Sequence, residues 1–218
     1  AGYKTGEGMD PELVEQMEPA EVAVAALGIT VWQMDEWEAD DALATAARRF
    51  AGKVGEVRIL TPDKDLGQCL NAGKPGQVVQ VDRMREKVID VEARRERRGV
   101  APASLPDWLA LVGDSADGIP GLPGFGEKTA SRLLGHFGKL EKIPDDPARW
   151  PEEIRGAPRL AGVLAEQRED ARLYRELATL VTDVPLGETL DQLRWRGAPR
   201  DRWEAYCESV GHPRWKNR

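Results

Sequence analysis

The run EADDALATAARRFAGKVGEVRILTPDKDL, residues 38–66, reads as a helix followed by a strand that ends in an acidic turn. Acids open the helical part, Arg48 and Arg49 close it, and Gly52 stands just past its end, a pattern that complements the helix dipole and then stops the helix. VRILT, residues 57–61, predicts a buried strand, and VVQVD, residues 78–82, predicts another. Toward the N-terminus, ITVWQM, residues 29–34, predicts a further buried strand, and residues 11–27 predict a helix interrupted near Pro19. Strands alternating with helices predict an α/β fold with a mostly parallel central sheet flanked by helices. From Asp90 onward the period is helical in VEARRERRG, LPDWLALVG, EKTASRLLGHFG, PRLAGVLAEQ and DARLYRELATLV, with Pro- and Gly-rich turns between them. The chain therefore divides into an α/β portion, residues 1–100, and a mostly helical region, residues 101–218.

With 218 residues, 41% of them hydrophobic and 32% charged, the chain is long enough for one large or two small globular domains. No stretch approaches the roughly 20 apolar residues of a membrane span, and the N-terminus lacks a basic region followed by an apolar one, so a cytoplasmic protein is expected. Cys69 and Cys207 show no paired or metal-ligand spacing and read as free thiols. The polar, glycine-rich start without a methionine predicts an N-terminally incomplete chain. A net charge of -7 argues at first sight against phosphate contacts, but net charge does not say where the charges lie.

Three groups of carboxylates stand at element ends: Glu38, Asp40 and Asp41 opening the helix, Asp63 and Asp65 leaving the strand VRILT, and Asp114 with Asp117 in GDSADG. In a sheet with helical crossovers, strand carboxyl ends and adjoining helix starts share one edge, where α/β proteins build their sites. Carboxylates gathered there without cations would raise one another's pKa. Hard divalent ions relieve that repulsion, and an all-oxygen donor set suits Mg²⁺ or Mn²⁺ rather than zinc. Taken singly, each group has an ordinary structural explanation in helix-dipole complementation or Asx turns. Those explanations do not predict all three in order at the ends of elements of one sheet. The 38 acids exceed the 31 Lys plus Arg by the size of this set, and bound metal would cancel that excess.

In GLPGFGEKTASRLLGHFG, residues 121–138, Ala130, Leu133, Leu134 and Phe137 recur at helical spacing, while Lys128 and Arg132 share another face. Gly121, Gly124 and Gly126 permit positive φ and close backbone approach. A turn of this kind ahead of a helix presents amide N–H groups to an anion, with Lys128 beside them.

Taken together, EADD, TPDKDL, LPDWLALVGDSADGIPGLPGFGEKTASRLL and LATLVTDVPL, in that order, resemble the 5′-nuclease family, the flap endonucleases and the 5′-3′ exonuclease domain of bacterial DNA polymerase I. The resemblance implies a PIN-like nuclease core and a helical region containing a helix-hairpin-helix element. It implies that Glu38, Asp40, Asp41, Asp63, Asp65, Asp114 and Asp117 bind two divalent ions, Mg²⁺ or Mn²⁺. The backbone around Gly121, Gly124 and Gly126, with Lys128, Thr129 and Arg132, would hold duplex DNA by its phosphates through a bound K⁺. Tyr3 and Lys4 resemble the end of the family's mobile arch, whose lysine is catalytic, although Glu7 stands where the family usually has arginine. The family's first strand, with a metal-binding aspartate, and a second aspartate would lie ahead of Ala1.

The activity so implied is hydrolysis of a DNA phosphodiester at a 5′ flap, nick or gap, or at an RNA primer, leaving a 5′-phosphate and a 3′-hydroxyl, by a monomer working in replication and repair. Two alternatives stay open: a non-catalytic duplex-DNA-binding module, and a PIN-type metal-dependent ribonuclease. His136 and His212 lack partners at metal or triad spacing and read as structural or surface residues. The arginines of VEARRERRG read as a solvated helix face that could extend a phosphate track.

Overall fold

The computed structural model describes residues 10–212, which fall into two units, one spanning Glu38–Val184 and the other made of residues 10–37 and 185–212. The second unit begins with helices α1 (Pro11–Val14) and α2 (Met17–Ala26). Their break falls at residues 15–16 rather than at Pro19, because Pro19 stands in the first turn of α2, where an N–H has no helical acceptor to lose. The expected strand at residues 29–34 does not form. The segment pairs with no other strand among the described residues, and Ile29 is exposed. An apolar run becomes a strand only where a neighbour accepts its ladder. The segment is instead tied by side chains, as Trp32 Nε1 donates to Glu188 Oε2 at 2.8 Å.

In the larger unit, α3 (Ala39–Phe50) follows its N-cap Glu38, whose N–H donates to Asp41 Oδ2 at 3.2 Å. Strands β1 (Glu56–Leu60), β2 (Gln77–Asp82) and β3 (Lys87–Ile89) form one mixed sheet in that order. β1 and β2 run parallel, Glu56 opposite Gln77 and Leu60 opposite Val81. β3 returns antiparallel after a four-residue connection in which Glu86 takes φ 52, a link too short for a parallel crossover. Ala47 and Ala51 at the end of α3 pack on Ile59, Leu66 and Val78, a small core between helix and sheet.

Five helices follow: α4 (Val91–Arg98), α5 (Leu105–Val112), α6 (Glu127–Phe137), α7 (Ala157–Glu166) and α8 (Arg168–Ala178). They enclose the larger core, in which Leu105, Trp108, Leu109 and Leu111 of α5 meet Leu133 and Leu134 of α6 and Leu164 of α7. α5 is buried on nearly every side, which explains why its sequence is apolar with little amphipathic pattern. Helix α9 (Arg200–Ser209) belongs to the smaller unit and packs there against α2. No helix among the described residues is long and apolar enough to cross a membrane.

Candidate active site

Beyond the end of β1 the chain makes two successive side-chain turns. Thr61 Oγ1 accepts the Asp63 N–H at 3.1 Å, and Asp63 Oδ1 accepts the Asp65 N–H at 2.9 Å. Gln80, buried in β2, clamps this turn from beside it, its Nε2 donating to Thr61 O at 2.9 Å and to Asp63 O at 2.5 Å. The other half of the site hangs from the end of α5. Gly113 stops that helix, and Asp114 and Ile119 then exchange both backbone hydrogen bonds, at 2.7 and 2.8 Å. The small loop so closed sets Asp114 and Asp117 against Asp65. One carboxylate oxygen from each of these three residues lies within 4.8 Å of the others.

Asp114 is buried and Asp65 and Asp117 are half-buried, so their mutual repulsion is poorly screened. Burial pushes the Asp65 carboxyl up to about 7; Lys64 draws it back, while Asp63 and Asp117 push it further up. Lys64 lies among the acids, its Nζ paired with Asp114 Oδ2 and 3.8 Å from Asp65 Oδ1. Burial opposes the charge on Lys64, yet the bond to Asp114 and the charges of Asp65, Asp114 and Asp63 outweigh it and raise the ammonium's pKa. Asp65 Oδ1 is buried and accepts no hydrogen bond among the described residues. Oxygens spaced so could share one hard cation at metal–oxygen distances of about 2.0–2.6 Å. The donor set therefore fits a divalent ion.

The remaining predicted acids stand close by but outside this group of three. Glu38, Asp40 and Asp41 open α3, which packs against the turn at Asp65–Cys69. Asp41 Oδ1 accepts the Val181 N–H at 2.8 Å, which ties that carboxylate to the chain beyond α8. Asp40 acts on Cys69, whose thiol is pushed up to about 11, first by burial and then by that charge. Lys4, predicted as catalytic, lies outside the described residues, as do Tyr3 and Glu7.

The glycine-rich turn joins α5 to α6. Gly121 has φ +69 and Gly124 φ +87; a Cβ on Gly121 would stand 2.5 Å from the Gly113 nitrogen, so only glycine fits. Gly126, at φ -93, is the N-cap of α6 and needs no such freedom. The Leu122 N–H is spent on Leu111 O of α5 at 2.8 Å, and that of Phe125 inside the turn on Leu122 O at 3.1 Å. Those of Gly124 and Gly126 bond no backbone carbonyl among the described residues. Lys128 is exposed and Thr129 half-buried at the helix start. Arg132 Nη1 donates to Glu153 O at 2.9 Å, which ties that side chain to the loop ahead of α7.

The description "5′-3′ exonuclease, N-terminal resolvase-like domain" matches residues 1–99, and "5′-3′ exonuclease, C-terminal SAM fold" matches residues 100–201. The chain belongs to the 5′-3′ exonuclease family. It is 39% identical over 209 residues to DNA polymerase I of Pseudomonas aeruginosa, covering 92% of this chain and 22% of that one. It is 37% identical over 197 residues to the flap endonuclease Xni of Edwardsiella ictaluri, covering 90% of this chain and 74% of that one. The chain thus spans about a fifth of the length of the polymerase relatives it matches. The same fold occurs in the T5 D15 protein co-crystallised with metal ions, at TM-score 0.68 and 17% identity over 97% of this chain and 76% of that one. It also occurs in the catalytic core of Rad2 in complex with DNA substrate, at TM-score 0.55 and 15% identity over 97% and 68%. The T5 5′-exonuclease has been solved with zinc bound, and it shares this fold at TM-score 0.67 and 17% identity over 94% and 72%.

Several residues of this candidate site are inconspicuous in the sequence. Lys64 sits between two assigned acids in TPDKDL, and its position there is the only signal of the ion pair it makes. Gln80 reads as one polar residue in an apolar strand; a buried amide in such a strand is the available hint that it serves a neighbour's backbone. Arg159 of α7 lies against Gly124, with Nη2 2.6 Å from where a Cβ would stand, and no spacing connects the two positions in the sequence.

Proposed function

We propose that this chain carries the hydrolytic site of a structure-specific 5′-nuclease that cuts DNA phosphodiesters with bound Mg²⁺ or Mn²⁺. The substrates would be 5′ flaps, nicked or gapped duplexes and RNA primers on DNA. The observation that carries the reading is the three-carboxylate group Asp65, Asp114 and Asp117, with a buried orphan oxygen and a carboxyl raised to about 7. Asp63 and the acids of α3, Glu38, Asp40 and Asp41, would complete the ligand set on the same sheet edge. When bound, divalent ions supply a water of lowered pKa and stabilise charge on the attacking and leaving oxygens. The protein's part is to hold the carboxylates in place, through the Gln80 clamp and the loop at residues 114–119; a bound cation would favour their ionised form. Lys64 neutralises Asp114 and would yield as metal enters.

The turn at residues 121–126 would grip duplex DNA by its phosphates, through the N–H groups of Gly124 and Gly126, through Lys128 and Thr129, and with a K⁺ ion held by turn carbonyls. Residues 1–100 would then be the nuclease core and residues 101–218 the duplex-holding region of a monomer. Phosphate contacts of this kind confer little sequence preference.

The test is cleavage of a 5′-flap duplex with Mg²⁺ or Mn²⁺ present, beside calorimetric titration of the same ions. Asp114→Asn is expected to abolish the metal heat and to lower cleavage by about 100-fold or more, a loss of roughly 3 kcal/mol of transition-state stabilisation, while duplex binding stays. A metal-loaded chain that binds duplex without cutting it would sink the catalytic role. Cleavage of structured RNA in preference to flap DNA would overturn the substrate.

A further inference from the structure

Beside the acidic group lies a cavity of about 790 Å³ with the opposite charge. Lys64, Arg85, Lys87, Arg94, Arg97 and Arg98 line it, against only two acids, Asp63 and Asp82. Both acids are engaged: Asp63 Oδ1 accepts the Asp65 N–H, and Asp82 accepts Arg85 through its N–H at 3.0 Å and its Nη1 at 2.7 Å. Arg97 and Lys87 are exposed and form no ion pair with any described residue. Arg94 is 3% exposed; its Nη2 donates to Gln80 Oε1 at 2.8 Å, while its Nε is buried and has no hydrogen-bond partner. Its guanidinium is pressed against Gly67, where a Cβ would stand 2.5 Å from Nη2. Asp65 and Asp63 offset part of the repulsion from Arg98 and Arg97, but a buried guanidinium with an unsatisfied donor still favours a further anion beside it. The cations of α4 and of the β2–β3 hairpin thus converge on one cavity next to the hydrolytic carboxylates.

We infer that this cavity is a second phosphate-binding site, distinct from the glycine-rich turn, that takes a backbone phosphodiester of the nucleic acid whose neighbouring phosphate lies at Asp65 and Asp114. The inference rests on the nuclease reading, because that reading supplies the polyanion. Planar guanidiniums suit phosphate oxygens in pairs, and Lys87 and Arg97 stand exposed on the lining where they can meet a strand. The acidic side chains hold the reacting phosphate through cations, and the adjacent arginines hold the next one directly.

Binding of a 5′-flap duplex in EDTA, read by fluorescence anisotropy across about 50 to 200 mM salt, tests this without any requirement for cleavage. The lining variant is Lys87→Gln with Arg97→Gln. Its control is Arg83→Gln with Arg95→Gln, which removes the same charge from exposed positions of the same hairpin and helix that do not line the cavity. Each phosphate contact adds about 0.9 to the salt slope, so the lining variant should lose about two contacts' worth. Over that salt range the wild-type affinity should then fall about 12-fold more than the variant's, with the control matching wild type. Equal slopes in all three proteins, or equal losses in both variants, would overturn the site while leaving the nuclease reading intact. Absence of any wild-type binding would overturn that reading itself. Inorganic phosphate, added at constant ionic strength, should fail to displace the DNA; displacement that depends on Lys87 and Arg97 would make the cavity a free-phosphate site instead.

Discussion

Asp65 concentrates the electrostatic problem that the site solves. Its carboxyl has an ordinary value of 3.8 and is pushed up to about 7 in the folded chain, first by burial. A carboxyl whose pKa is raised by folding contributes stability that is full below its unfolded value and is lost as the pH rises through the folded one. The metal-free chain should therefore lose stability from Asp65 between about pH 4 and pH 7. The full shift would be worth about 4 kcal/mol, but the side chain is only partly removed from water, and about 1–2 kcal/mol is expected after screening. Asp65→Asn should thus raise the melting temperature in EDTA near pH 8, with the gain shrinking as the pH falls. Saturating Mn²⁺ should reverse the order, stabilising the wild type and leaving the variant unmoved. An Asp65→Asn chain no more stable than wild type at high pH in EDTA would show that Lys64 already compensates the carboxylate in full.

At the scale of elements, the β2–β3 hairpin is held by one carboxylate. Asp82 accepts both the N–H and the guanidinium of Arg85, and these bonds hold its carboxyl below the usual range. A lowered carboxylate contributes stability above its unfolded value and loses it as the pH falls through the folded one. Arg85→Gln should consequently destabilise the hairpin at neutral pH but not in strong acid, read as faster hydrogen exchange at Val88 and Ile89 only above about pH 4. α4 begins beyond this hairpin with Asp90 as its N-cap, accepting the Ala93 N–H at 2.8 Å. Asp90→Ala should cost about 1 kcal/mol in urea unfolding. Helices α4 to α8 and strands β1 and β2 are legible in the sequence because each is specified by local spacing. The strand expected at residues 29–34 is not formed and β3 was not foreseen, because pairing depends on a neighbour that no window of sequence contains. The convergence of Asp65 with Asp114 and Asp117 was legible through the rule that sites gather at strand carboxyl ends. The insertion of Lys64 and the clamp by Gln80 were not, since both depend on side-chain directions between elements far apart in sequence.

Across the larger unit as a whole, α5 is the element on which the main core and the candidate site meet. Its buried residues anchor the main core, and its last turn carries both candidate loops: Leu109 O accepts the Gly113 N–H and Leu111 O accepts the Leu122 N–H, each at 2.8 Å. The loop with Asp114 and Asp117 and the glycine-rich turn therefore move with this helix. Leu109 is 2% exposed and Leu164 of α7 is 0% exposed, and both belong to the same core. Truncating either to alanine should cost about 2–5 kcal/mol through lost burial and the cavity left behind. The two should part company in function. Leu109→Ala lets the end of α5 settle into the space, which shifts Asp114 relative to Asp65 and weakens Mn²⁺ binding several-fold. Leu164→Ala removes bulk from α7, which does not carry the loop with Asp114 and Asp117, and should leave Mn²⁺ affinity unchanged at temperatures where both variants are folded. Equal losses of affinity in the two variants would mean that the site depends on global stability, whereas the geometry makes it depend on where α5 ends.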